Sequence, residues 1–254
     1  MNKRCRHWDK TISVSSAGVP RLRCAERKIE VDATACETCP DRSVKEPVPQ
    51  VVDVCTTSIP RLLTSYTMPQ FLGRMEDRGD FRLRWFFHLD NLPDLDRYWA
   101  GSLAQAQSVA PLFDEAVLIA RTANLGYGGS ILELLRRTEN DVLWIEDDWE
   151  WLKPFRLADA FAACRDGYNF GNPGIMIGAT SPNLWRRRVV DYLIDNFGRP
   201  ERASERGIKH RLRGRFRSNS RRGRIPPGLI REIGRRRLGE FGFQKTFFNV
   251  PIKP

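Results

Sequence analysis

The stretch that most constrains the fold of this chain is an apolar run ending directly in three acids, at residues 141–149 (DVLWIEDDW). The run 142–145 is too short for a helix and fits a strand buried on both faces. Glu146, Asp147 and Asp148 follow it, and adjacent carboxylates repel one another and lose hydration in a cleft. Open α/β sheets bind ligands at the carboxyl ends of their strands. The stretch therefore predicts a Mg²⁺ or Mn²⁺ site that holds a diphosphate, the alternative being an acidic loop after an edge strand.

The segments before this strand alternate between strand and helix patterns. Three further strands are predicted at 51–55, 81–89 and 113–119. Helices are predicted between them, at 60–72, 94–109 and 130–137. This alternation predicts an α/β fold with a mostly parallel, Rossmann-like sheet that carries helices on its faces.

The N-terminal region has a cysteine pattern typical of a metal site. It contains four of the six cysteines of the chain, Cys5, Cys24, Cys36 and Cys39. Four thiolates suit a tetrahedral Zn²⁺, and the CxxC spacing of the last two is the most specific part of the pattern. Few large apolar side chains accompany them, so a structural Zn²⁺ is expected to hold residues 1–46 together. His7 is an alternative ligand to Cys5, and the other possibilities are an iron–sulfur cluster or four free thiols.

Positive charge is concentrated in the C-terminal part of the chain. The 254 residues carry a net charge of +11, and residues 199–237 contain 14 arginines and one lysine against three acids. Arginine binds phosphates in a fork geometry, and Phe216 is placed to stack on an exposed base. This segment is expected to bind a polyanion, the alternative being a solvated loop. The residues expected to contact the polyanion are Arg211, Arg213, Arg215 and Arg217.

No membrane contact is expected from the sequence. No apolar run approaches the roughly 18–20 residues of a membrane span. The charged N-terminus lacks the apolar stretch of a secretory signal. A cytoplasmic protein is therefore expected, in the host cytoplasm if the chain is phage-encoded.

Polar residues also follow the first two predicted strands. The hydroxyl residues 56–58 end the first strand, and Pro60 fits the first turn of the next helix. The N-terminus of such a helix can receive phosphate or nucleobase groups, although any α/β protein has plain turns here. Asp90 ends the second strand, where an acid can hydrogen-bond a ribose or a base.

Together these segments resemble the GT-A glycosyltransferases, and most closely the family-2-like enzymes that use nucleotide sugars. The resemblance covers about residues 50–198. Its best element is the pairing of RTANLGYGGSILELL with DVLWIEDDW at the expected spacing. It implies that the donor is bound by Thr56, Thr57, Ser58, Pro60, Arg61, Asp90, Arg121, Asn124, Gly126, Glu146 and Asp147.

The resemblance also implies separate roles for these residues. Asp90 would meet the uracil or ribose, and Arg121 with Asn124 would approach the diphosphate or sugar. The DxD-type motif would be Glu146-x-Asp148, with Asp148 as the best ligand for Mn²⁺ or Mg²⁺ and Glu146 facing the ribose or sugar. Because this chain has Glu where the family often has Asp, the choice among the three acids, including Asp147, stays open. Through the metal, Asp148 would take part in catalysis by stabilising charge on the leaving diphosphate.

An inverting enzyme also needs a carboxylate base to deprotonate the acceptor hydroxyl, and in the family this acid follows the metal motif. Glu205 is the first candidate and Glu201 the second, with Glu150 and Asp191 behind them. Trp185 is expected either to stack on a sugar or base of the acceptor or to be a core aromatic.

The sequence thus predicts a cysteine-rich module at 1–46, a nucleotide-sugar-binding core at 47–198 and an acceptor-binding segment at 199–254 that docks on the core. The predicted activity is metal-dependent transfer of a hexose or pentose to a hydroxyl. A zinc module and an arginine-rich segment favour DNA as the acceptor, at a hydroxymethylated base of the phage type. The alternatives are a protein or glycan acceptor, a non-catalytic nucleic-acid-binding protein with a degenerate transferase core, and a metal-dependent nuclease.

Overall fold

A computed structural model shows a chain that forms two compact units, Met1–Val48 and Pro49–Pro254. The residues that it describes are 8–14, 20–24, 29–32, 49–121, 124–171, 182–198, 207–208, 211–212, 215–216 and 228–233.

The first unit contains an antiparallel sheet in the order β1-β2-β3, formed by Trp8–Val14 (β1), Pro20–Cys24 (β2) and Ile29–Asp32 (β3). Cys24 is the last residue of β2. The other proposed zinc ligands, Cys5, Cys36 and Cys39, lie outside the described residues, as does His7. The zinc site therefore stays a prediction.

The second unit is built on a six-stranded sheet with helices on both faces. Its strands are Gln50–Ser58 (β4), Phe81–Leu89 (β5), Glu115–Ala120 (β6), Val142–Trp144 (β7), Gly167–Asn169 (β9) and Asn183–Trp185 (β10). Its helices are Thr64–Arg74 (α1), Trp99–Val109 (α2), Gly126–Leu135 (α3), Leu157–Ala163 (α4) and Arg187–Asn196 (α5). A separate antiparallel pair is formed by Trp149–Trp151 (β8) and Ile230–Glu232 (β11).

The order of the strands confirms the predicted α/β fold with a mostly parallel sheet. The order is β6-β5-β4-β7-β10-β9, with β4 to β7 mutually parallel and β10 antiparallel to both of its neighbours. After β4 the chain moves outward through β5 to β6, and it then returns to place β7 on the other side of β4. β4 and β7 therefore flank the switch point of the sheet, where such folds bind ligands.

The second predicted strand has the observed bounds, whereas the ends of the other predicted elements differ from the prediction. β4 continues to Ser58 because it pairs with β5 over its whole length, so that residues 56–58 lie in the strand and not after it. α1 begins at Thr64, which places Pro60 in the preceding loop. The predicted helix at 94–109 is divided into a 3₁₀ helix, Pro93–Tyr98, and α2.

The apolar core lies on both faces of the sheet. One face packs against α1, α2 and α4, and the other packs against α3 and α5. Successive strand residues point to opposite faces, so Val54 and Leu143 enter the first core, whereas Cys55 and Trp144 enter the second. This two-sided burial explains the continuous apolar run before the acids. None of the helices in the described ranges is both long and apolar enough to cross a membrane.

A buried aspartate in β4 ties the neighbouring strands together. The Asp53 carboxylate accepts hydrogen bonds from Arg84 Nε and Nη2 at 2.7 and 3.0 Å, and from the N–H groups of Glu139 and Asn140 at 2.8 and 2.9 Å. Burial acts to raise the pKa of Asp53, but the bond to Arg84 and the backbone bonds outweigh it and lower the pKa from its usual 3.8. The carboxylate thereby fixes β5 and the turn before β7 against β4.

We expect Asp53→Asn to lower the free energy of unfolding at neutral pH by about 1–3 kcal/mol, because charge-assisted hydrogen bonds are lost. Since the pKa of Asp53 is depressed, its contribution is present above the unfolded value of about 3.8 and is lost as the pH falls below it. Urea denaturation at several pH values should show the two proteins converging in acid. A difference that is independent of pH would contradict this assignment.

Glu115→Gln is the matched control for this experiment. Glu115 forms an ion pair with Arg82, and both side chains are about half exposed. Such surface pairs contribute about 1 kcal/mol or less.

Candidate active site

The carboxyl ends of β4, β5 and β7 meet at one edge of the sheet and carry several of the polar residues predicted to bind a ligand. β4 and β7 pair up to Cys55 and Trp144, beyond which Ser58 is the last residue of β4 and Asp147 lies in the segment that follows β7. Ser58 Oγ donates a hydrogen bond to Asp147 Oδ2 across the gap. On the other side, the N–H of Asp90 donates to the carbonyl oxygen of Ser58 at 2.9 Å. The three strand ends therefore form one continuous polar edge.

Arg61 forms ion pairs with two of the three acids that follow β7, Glu146, Asp147 and Asp148, which are called the acidic motif below. Its Nη1 donates to Asp148 Oδ2 at 2.9 Å and its Nη2 donates to Asp147 Oδ1. All three side chains are buried. Burial raises the pKa of Asp147, and burial also acts to lower the pKa of Arg61, but the charges of the two aspartates outweigh this and raise the Arg61 pKa. Arg61 is thus a permanent cation held between two of the three predicted metal ligands.

The loop that carries Arg61 has a strained backbone. Leu62 has a φ of +56°, a left-handed conformation that a leucine seldom adopts. Its N–H donates to Ser102 Oγ at 3.4 Å. Its side chain packs against Gly101 of α2 so closely that a Cβ there would lie 3.0 Å from Leu62 Cδ2. Contacts with α2 therefore hold this loop over the acids, and no sequence pattern in the loop indicates the strain.

Asp90 follows the last residue of β5, as predicted, and it also binds to residues at the start of α3. Its Oδ1 accepts the N–H of Leu125 at 2.9 Å, and its Oδ2 accepts the Ser130 hydroxyl at 3.2 Å. Each carboxylate oxygen has a further lone-pair site. The predicted contact with a ribose or base is therefore compatible with this role.

The other residues predicted near the diphosphate lie at the start of α3. Arg121 is exposed, and its Nη2 donates to Glu133 Oε1 at 2.7 Å. Asn124 is also exposed, and its Oδ1 accepts the N–H of Gly126 at 2.6 Å. Gly126 has a φ of +67°, which glycine adopts at little cost, and this lets α3 begin before the predicted Ser130.

A second acidic group lies next to the motif. Glu150 in β8 accepts the Tyr66 hydroxyl on Oε1 at 2.5 Å and Arg231 Nε on Oε2 at 2.9 Å. The N–H of Ile233 also donates to the carbonyl oxygen of Asp148 at 2.8 Å. β8 and β11 therefore dock residues 228–233 beside the motif, an arrangement that the sequence analysis did not predict. The bonds from Tyr66 and Arg231 suit a positioning residue better than a catalytic base.

The structure corrects two of the predicted ligand contacts. Thr56 is fully buried, and its Oγ1 accepts a hydrogen bond from Trp85 Nε1 at 3.0 Å, because β4 extends further than predicted. Trp185 is also fully buried and stacks on Trp144 with ring centroids 5.5 Å apart, so it is a core aromatic and not an acceptor contact. Thr57 and Pro60 are buried as well.

The basic segment is described in part. Arg211 is exposed and donates from Nη1 to the carbonyl oxygen of Asn196, at the end of α5, at 2.5 Å. Arg215 is exposed, and its guanidinium carbon lies 4.6 Å from the ring centroid of Tyr192. The remaining candidate acceptor and base residues lie outside the described residues, namely Arg213, Arg217, Glu201 and Glu205. The lower-ranked candidate base Asp191 forms an exposed ion pair with Arg187 at 2.7 Å.

The acidic motif fits a divalent cation in its chemistry and in its setting. Carboxylate oxygens are preferred ligands of Mg²⁺ and Mn²⁺. Asp147 and Asp148 already surround one cation, the Arg61 guanidinium, so this position accepts positive charge. Within the described ranges, no three His, Cys, Asp or Glu side chains are arranged to hold a metal by themselves. Since Mg²⁺ is commonly bound by one or two carboxylates together with substrate phosphates, a metal here would also require the donor.

Comparison with solved structures identifies the fold. A mannosyltransferase from Pyrobaculum calidifontis, PcManGT, solved in complex with GDP-Man and Mn²⁺, is similar to this chain with a TM-score of 0.51 and 12% sequence identity. The similarity covers 78% of this chain and 61% of the mannosyltransferase, so this chain spans about three-fifths of that protein. At this identity the likeness establishes the fold alone, a GT-A-like α/β fold.

Two structures of TarS from S. aureus are also similar, with TM-scores of 0.46 and 0.48. Their sequence identities are 13% and 11%, and the similarity covers 63% and 78% of this chain and 53% and 40% of theirs. No protein-family model and no curated protein matches the sequence.

We expect Trp185→Ala to lower the free energy of unfolding by about 3–5 kcal/mol, because it opens a cavity beside Trp144. Chemical denaturation measures this change. Leu112→Ala, at a side chain that is 47% exposed, is the control and should change the stability by about 0.5 kcal/mol or less. An unchanged stability for Trp185→Ala would contradict its placement in the core.

Proposed function

We propose that this chain is a metal-dependent glycosyltransferase that moves a sugar from a nucleotide-sugar donor to a hydroxyl acceptor. The observation that carries the proposal is the acidic motif at the carboxyl ends of β4 and β7, where Arg61 forms ion pairs with Asp147 and Asp148. Parallel sheets bind nucleotides at this switch point. The fold is shared with a mannosyltransferase that was solved with GDP-Man and Mn²⁺.

The donor would lie along the edge formed by Ser58, Asp90 and the acidic motif. Asp90 would accept a hydrogen bond from the base or ribose, while the exposed Arg121 and Asn124 would contact the diphosphate or the sugar. Asp148, with Asp147 or Glu146, would hold Mn²⁺ or Mg²⁺, which would supply positive charge for the leaving diphosphate. Arg121 would add positive charge on the side of α3.

In an inverting transfer the acceptor hydroxyl would need a carboxylate base. Glu205 remains our first proposal and Glu201 the second. Glu150 would serve a different purpose, because its bonds to Tyr66 and Arg231 hold β8 and β11 beside the metal motif.

The acceptor that we propose is a hydroxymethylated base in DNA. The support is the location of the charge, since residues 199–237 carry 14 arginines against three acids. Arg211 and Arg215, which are exposed at the end of α5, are proposed to contact phosphates. A base in duplex DNA would have to be flipped out to reach the sugar. A structural Zn²⁺ held by the N-terminal cysteines belongs to the same proposal.

The donor is tested by offering the full chain a panel of nucleotide sugars with Mn²⁺. We expect one donor to raise the melting temperature and to release nucleoside diphosphate only when the metal is present. Asp148→Asn should abolish release while the circular dichroism spectrum stays unchanged, whereas Glu115→Gln, an exposed acid-to-amide control, should behave as the wild type. No response to any donor would favour the non-catalytic nucleic-acid-binding alternative.

The acceptor is tested by fluorescence anisotropy with a hydroxymethylated DNA duplex at several salt concentrations. We expect the affinity to fall steeply with salt, and Arg211→Gln with Arg215→Gln to reduce the slope of log K against log salt by about 0.9 for each lost phosphate contact. Arg82→Gln is the control, because Arg82 forms an exposed ion pair with Glu115 and lies outside the basic segment. Absent or salt-independent binding would exclude DNA and leave a protein or glycan acceptor.

A further inference from the structure

The Arg61 guanidinium lies where a metal ion held by the acidic motif would have to bind. It donates to Asp147 Oδ1 and Asp148 Oδ2, and these oxygens belong to residues that were predicted to hold the metal. Two cations at one point repel each other, so the ion pairs of Arg61 and a divalent cation compete for the same carboxylates.

Arg61 also has hydrogen-bonding capacity that its present contacts do not use. Its Nε has no hydrogen-bond partner among the described residues, although the side chain is only 7% exposed. A buried donor of this kind costs free energy, and the guanidinium fork matches the oxygens of a phosphate. A diphosphate at the same edge would give the side chain a second set of acceptors.

The backbone next to Arg61 is suited to a second conformation. Leu62 is strained at a φ of +56°, and contacts with Ser102 and Gly101 of α2 hold it there. Strained residues of this kind recur in switch segments, where the surrounding structure over-determines them.

We infer that Arg61 holds the place of the divalent cation between Asp147 and Asp148, and that a bound diphosphate draws Arg61 away so that the metal can enter. The metal and the nucleotide would then bind cooperatively, each raising the affinity of the other by the same factor. The inference rests on the proposed function, because it takes the ligand to be the diphosphate of a nucleotide-sugar donor.

The test is isothermal titration of Mn²⁺ into the full chain, alone and with saturating GDP or UDP. For the wild type we expect either nucleotide that binds to strengthen Mn²⁺ binding about 10-fold or more. Arg61→Gln should bind Mn²⁺ about 10-fold more tightly than the wild type when no nucleotide is present, and the nucleotide should add little. Asp148→Asn provides the blank for Mn²⁺ bound elsewhere on the chain.

Two further variants keep the result interpretable. Arg84→Gln removes another arginine bound to a buried aspartate, away from the motif, and should show the affinities of the wild type. Arg61→Lys keeps the charge but loses the fork geometry, so it should bind Mn²⁺ with an intermediate affinity and serves if Arg61→Gln does not fold.

Equal Mn²⁺ affinities of the wild type and the Arg61 variants, with the nucleotide still bound, would overturn the inference and leave the proposed function intact. Failure of both nucleotides to bind the wild type, with or without Mn²⁺, would overturn the proposed function together with the cooperativity.

Discussion

The buried ion pairs that Arg61 forms with Asp147 and Asp148 are the interaction on which this edge of the structure depends. Ionised groups lose much of their hydration when they are buried, and only good geometry with opposite charges offsets that loss. Removal of Arg61 would leave two adjacent carboxylates in the interior without this compensating cation. The ends of β4 and β7, and the loop between β4 and α1, must therefore keep their relative positions.

The central position of β4 makes this arrangement possible. Asp53, in its first half, fixes β5 and the turn before β7 through Arg84 and Asn140. Ser58, at its end, meets Asp147 across the switch point. The same strand therefore sets the register in the interior and positions the acids at the edge. The sheet is held rigidly, whereas the loop that carries Arg61 and the strained Leu62 lies at its edge. This combination suits a site where a bound ligand moves only the Arg61 side chain.

The sequence predicts the features of the structure that depend on residues close together in the chain. Alternating strands and helices, the bounds of β5, and acids at the strand ends all follow from periodicity and from buried apolar runs. Pairing between segments far apart in the chain explains the features that the sequence did not predict, namely the length of β4 and the burial of Trp185. β4 is longer than predicted because β5 supplies partners up to Ser58, and Trp185 is buried because β10 pairs with β7 and stacks it on Trp144. Propensity alone does not reveal the φ of Leu62.

A crystal structure of the chain with Mn²⁺ and a nucleoside diphosphate, with the metal located by its anomalous scattering, would show whether the ligands displace Arg61. We expect a Mn²⁺ peak beside Asp148, a diphosphate at the carboxyl ends of β4 and β7, and an Arg61 side chain turned from the aspartates to the phosphates. A nucleotide bound elsewhere, with Arg61 still bridging Asp147 and Asp148, would contradict this expectation.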